Sequence, residues 1–283
     1  MATKNSRCLC GSGKKSKYCC HAVPAPVLSR TPPSDVRHAL REEVGFGCPV
    51  EGCGNPYLEY HHFDPPWSQK HHHNLSGMIA LCSRHHPLAD AGTWTAAQLR
   101  DMKRQRSTDV GERLQWMRNE VLTVIGGTAY YQNPIAVQFQ QQPVIWYNRD
   151  EKGRLLLNLR MLSRSGEPRL RIDNNDWVAH GKPIHLEVPP SGKRIAARYL
   201  NGDHLVLEFC EITLWEDLLA RYSHIRKNFE RTDLRSALPL TTCEITMNIA
   251  GSSLRFGPRA TSLPNGNQFL GIIQGSPVGF QIG

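Results

Sequence analysis

No run of apolar residues in this 283-residue chain comes near the 18 that a membrane-crossing helix needs, and Met1-Ala-Thr-Lys-Asn-Ser-Arg7 lacks the apolar stretch of a secretion signal. The expected setting is the cytoplasm, with no membrane partner. Cysteine is scarce after residue 82, where only Cys210 and Cys243 occur; the other seven of the nine lie earlier in close-set groups. In a reducing compartment that grouping argues for metal ligation over disulfides, and it leaves the isolated pair as small buried hydrophobes. Acidic residues are missing from the first 34 positions, which carry Lys4, Arg7, Lys14, Lys15, Lys17 and Arg30. The second half lacks a Gly-rich phosphate loop, a nucleophile signature and any metal cluster, and its His180, His185 and His204 are too scattered to mark a site. What is present is a chain with 40% hydrophobic residues and a net charge of +9. That is enough apolar material for two domains plus a small module, and the charge suits a polyanionic partner.

The chemistry is concentrated between Cys48 and His86. In order come Cys48-Pro-Val-Glu-Gly-Cys53, Glu59-Tyr-His61-His62, His71-His72-His73-Asn74 and Leu81-Cys82-Ser-Arg-His85-His86. Three cysteines and seven histidines within 39 residues exceed what core packing uses, and they imply metal. A smaller cluster precedes them. Cys8-Leu-Cys10-Gly-Ser-Gly-Lys-Lys-Ser-Lys-Tyr-Cys19-Cys20-His21 sets two thiol pairs on either side of a Gly-Ser-Gly turn. Four thiolates so placed can close a tetrahedral zinc site, which replaces a core in a segment too short to build one.

That first cluster resembles the SEC-C motif, a zinc-binding segment attached to many bacterial proteins. The resemblance implies Cys8, Cys10 and Cys19 as ligands with Cys20 as the fourth, His21 being the alternative. It also admits a docking role toward a protein partner or phosphates. Residues 48–86 resemble the HNH endonucleases, in which a two-stranded hairpin and a helix grip one divalent cation in a ββα-metal fold. By position the resemblance implies His61 as ligand, His62 as general base and His86 as the closing ligand. Cys48, Cys53, Cys82 and His85 match the structural zinc knuckle often seen around that core. It further implies DNA as partner, a catalytic Mg2+, Mn2+, Ni2+ or Zn2+ beside two structural Zn2+, and a setting in bacterial defence or a mobile element. One departure stands out: the slot of the family's middle Asn, nine residues before the last His, holds Gly77, and Asn74 is the nearest replacement.

The phosphodiester chemistry needs these residue types. Histidine titrates near neutrality and can take a proton from water, while a divalent ion held by imidazoles neutralises charge on the phosphoryl oxygens. Adjacent strand residues point to opposite faces, so His61 and His62 reach one centre only if the strand bends or stops, as Phe63-Asp-Pro-Pro66 invites. A second reading makes the chain a non-catalytic zinc adaptor for nucleic acid or protein.

The remaining pattern fixes the expected organisation: a zinc module over 1–23, a Pro-rich linker over 24–34, the HNH nuclease domain over 35–108, a helical connector over 109–137 and a β-rich domain over 138–283. Helices are expected from Ser34 or Asp35 to Val44, from Ala96 to Arg106 behind a Thr95 cap, over Glu112–Val124, and over Trp215–Asn228. Arg100, Lys103, Arg104 and Arg106 are expected to meet phosphates. The alternating runs after Gln138, with turns at Asn148–Gly153 and Asn201–Asp203, predict an antiparallel sandwich or barrel that serves recognition, sensing or oligomerisation. The fold class is α+β.

Overall fold

The computed structural model describes residues 6–8, 11–16, 19 and 28–282. The chain is mixed α+β with β-sheet dominant, and no helix among the described residues is long and apolar enough to cross a membrane. Its helical part comes first. Helix α1 (Ser34–Glu43) follows Pro33 with no side-chain cap, so Ser34 and Asp35 lie inside the first turn rather than before it, where the Asp35 charge complements the helix dipole. Leu40 and Val44 are buried, Val36 packs beside them, and Gly45 at φ 76° turns the chain out of the helix.

Strands β1 (Leu58–His62) and β2 (Met78–Cys82) pair antiparallel, from Leu58 opposite Cys82 to His62 opposite Met78. The run Met-Ile-Ala-Leu-Cys is apolar on both faces, and every residue of it is buried, with α1 and α3 (Ala96–Gln105) packed against it. Between them the short helix α2 (His86–Asp90) lies against β1, with Pro87 in its first turn. The start of α3 is as expected: Thr95 Oγ1 accepts from Gln98 N–H at 3.2 Å, and Gln98 Oε1 accepts from Thr95 N–H at 2.9 Å.

The connector expected as a helix is built of strands. Val110–Arg113 forms β3, Val121–Ile125 β4, Thr128–Tyr131 β5 and Ile135–Phe139 β6. Leu114, Met117, Val121 and Leu122 fit a helical period, yet Met117 is 62% exposed while Val121 and Leu122 face different cores. That is a period of two, and Val-Leu-Thr-Val-Ile is the β-rich composition that a strand buried on both faces requires.

Among the described residues, β6 and β3 join a seven-stranded sheet with β7 (Gln142–Arg149), β8 (Leu155–Leu162), β9 (Pro168–Asp173), β10 (Asp176–Ala179) and β19 (Val278–Ile282). A ten-stranded sheet holds β4, β5, β11 (His185–Glu187), β12 (Arg194–Arg198), β13 (His204–Ile212), β14 (Leu240–Asn248), β15 (Arg255–Phe256), β16 (Thr261–Ser262), β17 (Gln268–Phe269) and β18 (Ile272–Gln274), with β12, β13 and β14 at its centre. Both expected hairpin turns are present, joining β7 to β8 and β12 to β13. The sandwich is not purely antiparallel: β4 pairs β14, β18 (Ile272–Gln274) pairs β5 and β19 pairs β6 in parallel. One apolar core, with Trp177, Ile145, Leu207 and Ile245, lies between the sheets. A second lies on the outer face of β4 and β5, where the chain from Trp215 packs. That segment is not one helix but α4 (Trp215–Arg221), a 3-10 turn and α5 (Arg226–Phe229). Cys243 is buried as expected, whereas Cys210 is half-buried against Arg221.

Phe46, which follows α1, is 1% exposed within the core between the sheets. Asn55 Nδ2 donates to Glu112 Oε2 at 2.6 Å and Gly111 N–H to the Gly54 carbonyl at 3.3 Å. The cysteine-bearing loop is thus fastened onto β3.

Candidate metal centres

Cys48 and Cys53 lie in the loop before β1, Cys82 ends β2, and His85 is the residue just before α2. Their ligand atoms all fall within 4.8 Å of one another. Cys48 Sγ and Cys82 Sγ each lie 3.3 Å from His85 Nδ1, and Cys53 Sγ lies 3.8 Å from Cys82 Sγ. A tetrahedral zinc with Zn–S near 2.3 Å and Zn–N near 2.0 Å sets S···S at about 3.8 Å and S···N at about 3.5 Å. The set fits a metal ion such as zinc. Burial, with neighbouring thiols adding to it, pushes the Cys48 thiol up to about 12, so ligation by thiolate there needs a cation in place.

A second group lies further along the same hairpin, where His61 pairs with Ile79. His61 Nδ1 is 3.0 Å from Asp90 Oδ1, and His86 Nδ1 is 3.3 Å from Asp90 Oδ2. The three ligand atoms again lie within 4.8 Å of one another. Nitrogen and oxygen donors at these separations match the edges of a small coordination shell, and three protein ligands leave positions open to water or substrate. Asp90 was not expected from the sequence, although it lies one helical turn after His86 and therefore on the same face of α2. Glu59 Oε2 stands further off, 3.8 Å from His86 Nδ1.

His61 and His62 both line one cavity of about 430 Å3, together with Asp90, Arg30 and Trp67. The strand bends to allow it. Phe63 and Asp64 N–H groups both donate to the single Gly77 carbonyl, at 2.9 and 3.2 Å, a two-against-one arrangement that turns the strand end. Gly77 has no room for a side chain, because a Cβ there would overlap the Asp64 carbonyl oxygen and crowd His72 Cε1. An asparagine, which the resemblance would place at this position, does not fit there.

The support of His62 comes from main chain instead. Its Nε2 lies 3.0 Å from the His72 carbonyl oxygen, which can only accept, so Nε2 carries the proton and Nδ1 the lone pair. His62 Nδ1 is buried and has no hydrogen-bond partner among the described residues. Burial above all lowers the imidazole to about 4, with His73 and Arg30 contributing, which keeps His62 neutral. Burial likewise lowers His61, against the opposing pull of Asp90. The His72 ring is a brace: Nε2 donates to the Pro65 carbonyl at 2.8 Å and Nδ1 accepts from Asn74 N–H at 3.1 Å. Asn74 contributes that N–H, while its side chain is exposed at the start of a 3-10 turn, Leu75–Gly77, and is not brought to His62. His71 stacks on Trp67 with ring centroids 4.4 Å apart, and Trp67 in turn lies 4.7 Å from His62.

The basic residues of α3 are held internally. Arg100 pairs with Asp64, Arg104 with Asp101, Lys103 with Glu43 at 2.8 Å, and Arg106 donates to the Glu42 carbonyl. The cation at the cavity is Arg30, which sequence reasoning had placed only in a basic linker. In the N-terminal cluster, Cys8 is buried and its N–H donates to the Lys14 carbonyl at 2.8 Å, which folds the Gly-Ser-Gly turn back. Ser12 Oγ lies 2.9 Å from Cys19 Sγ. The expected ligands Cys10 and Cys20, with the alternative His21, lie outside the described residues.

In comparisons with family models, curated proteins and solved structures, nothing matches this chain.

Proposed function

We propose that the chain is a metal-dependent endonuclease of the HNH type that hydrolyses DNA phosphodiesters. The observation that carries this reading is the unpartnered Nδ1 of His62 in the cavity that also holds His61 and Asp90. A neutral imidazole whose proton is committed to the His72 carbonyl has its lone pair free to take a proton from water. His62 removes that proton as the water oxygen bonds to phosphorus and the bond to the leaving oxygen breaks. Arg30 meets a non-bridging phosphate oxygen, and Trp67 with its stacked His71 presents an aromatic face to the nucleotide. His61, His86 and Asp90 hold the divalent cation, Mg2+, Mn2+, Ni2+ or Zn2+, which when bound supplies charge neutralisation at the phosphoryl group. Cys48, Cys53, Cys82 and His85 hold one structural zinc, and the Cys8, Cys10, Cys19, Cys20 motif holds a second, as a SEC-C-like module that docks a protein partner.

A non-catalytic zinc adaptor is the second reading, favoured by Gly77 in the Asn slot and by the internally paired cations of α3. Supercoiled plasmid incubated with the protein and Mg2+, Mn2+ or Ni2+ separates the two. The wild type nicks in at least one metal, and His62→Ala loses about 100-fold or more of the rate with its zinc content unchanged. Equal nicking by both, or none by either, favours the adaptor.

A further inference from the structure

The C-terminal sheets carry a second polar cavity, of about 400 Å3, bounded by β4, β5, β7 and the start of β8. Two residues that line it bear buried polar atoms without partners among the described residues. Asn133, 6% exposed, donates from Nδ2 to the Ser276 carbonyl at 2.8 Å, while its Oδ1 accepts nothing. Tyr130, 2% exposed, has a buried hydroxyl that neighbours the Thr128 hydroxyl and meets no other polar group among the described residues. Beside them Tyr147 Oη and Thr123 Oγ1 share a hydrogen bond of 2.8 Å, and the buried Cys243 thiol is a second partner of the Tyr147 hydroxyl. Burying an amide oxygen without a donor is unfavourable, and a fold keeps such a group where something else supplies the hydrogen.

The walls and the mouth narrow the chemistry. Val121, Pro134, Leu155 and the tyrosine rings give the cavity flat apolar sides. At the rim Arg149 and Glu120 are about half exposed; Arg149 Nη1 donates to the Asn119 and Gly153 carbonyls at 3.0 and 2.6 Å, while Nη2 is only loosely paired with Glu120 at 3.5 Å and can meet an incoming anion. The volume falls within the roughly 300–1,000 Å3 of small-molecule sites.

We propose that this cavity binds a planar heteroaromatic ring carrying an N–H edge and an anionic substituent, the chemistry of a nucleoside monophosphate. The ring lies between the apolar walls with its N–H edge toward Asn133 Oδ1. Tyr130 donates its hydroxyl hydrogen to a ring acceptor, Glu120 accepts from sugar hydroxyls, and Arg149 pairs with the phosphate. The site is independent of the nuclease reading and joins residues of the segment expected as a helical connector, Glu120 to Pro134, to the first strands of the β-rich domain.

Isothermal titration calorimetry of the full chain with AMP, GMP, CMP and UMP in turn, and with inorganic phosphate alone, tests the proposal. At least one nucleotide binds at one site per chain, more tightly than phosphate. Tyr130→Phe keeps the ring and the fold yet weakens that binding about ten-fold, and Arg149→Gln weakens it by a similar factor. Binding is unchanged in His62→Ala, which separates this site from the nuclease cavity. The proposal is overturned if none of the four nucleotides binds, if phosphate alone binds as tightly, or if both cavity variants retain wild-type affinity.

Discussion

His85 and His86 are adjacent in the chain and turn to different clusters. His85 Nδ1 faces Cys48 and Cys82 at 3.3 Å, in a four-residue set of which three are buried. His86 Nδ1 faces Asp90 at 3.3 Å, in a three-residue set whose carboxylate is exposed. Four donors enclosed by protein complete a tetrahedral shell and leave nothing for a substrate, whereas three donors at a cavity leave room for one. The difference arises at one point: His85 stands just outside α2 and His86 begins it, so one backbone step separates a ring of the four-residue set from a ring of the three-residue set. Two sets of candidate metal ligands thus share a hairpin without sharing a residue.

The contrast can be broken most severely at the closed cluster. Cys82→Ser removes one of four donors, and structural zinc in small domains contributes about 10–16 kcal/mol of apparent binding free energy. One zinc per chain is lost, and residues 35–108 become susceptible to protease while the sheets stay resistant. Unchanged zinc content would show that the closed set holds no ion. A smaller effect is expected at the bend between the clusters. Gly77→Ala places a methyl against the Asp64 carbonyl and His72, costing about 1–3 kcal/mol in chemical denaturation and lowering plasmid nicking, with zinc retained. The smallest belongs to Asn74. Its side chain is exposed and only its N–H is used, so Asn74→Ala shifts stability by less than about 0.5 kcal/mol and leaves nicking intact. A large loss of nicking in Asn74→Ala would restore it as the support of the base.

Much of this contrast was legible in the residues. The resemblance of residues 48–86 to the HNH endonucleases set Cys48, Cys53, Cys82 and His85 apart from His61 and His86, and Thr95 announces its helix by a local capping pattern. Local chemistry is readable because it depends on few neighbours. Asp90 was passed over because a lone acidic residue on a helix is common, although its offset from His86 was available. Arg30 could not be found, since its approach to the cavity depends on how the chain before α1 returns over the hairpin. The strand Val121–Ile125 was misread because Gly126-Gly127, which turns it into antiparallel β5, equally suits the end of a helix, and its other partner β14 lies more than a hundred residues away. Its β-branched run outweighs four apolar positions that happen to match a helix.

The most direct test of two clusters with separate duties is the variant Asp90→Asn, measured for both zinc content and plasmid nicking in Mg2+, Mn2+ and Ni2+. Tightly held zinc is expected to stay at the wild-type level while nicking falls at least about 100-fold. Nicking at the wild-type rate, or loss of the tightly held zinc along with it, would show that the two clusters do not have separate duties.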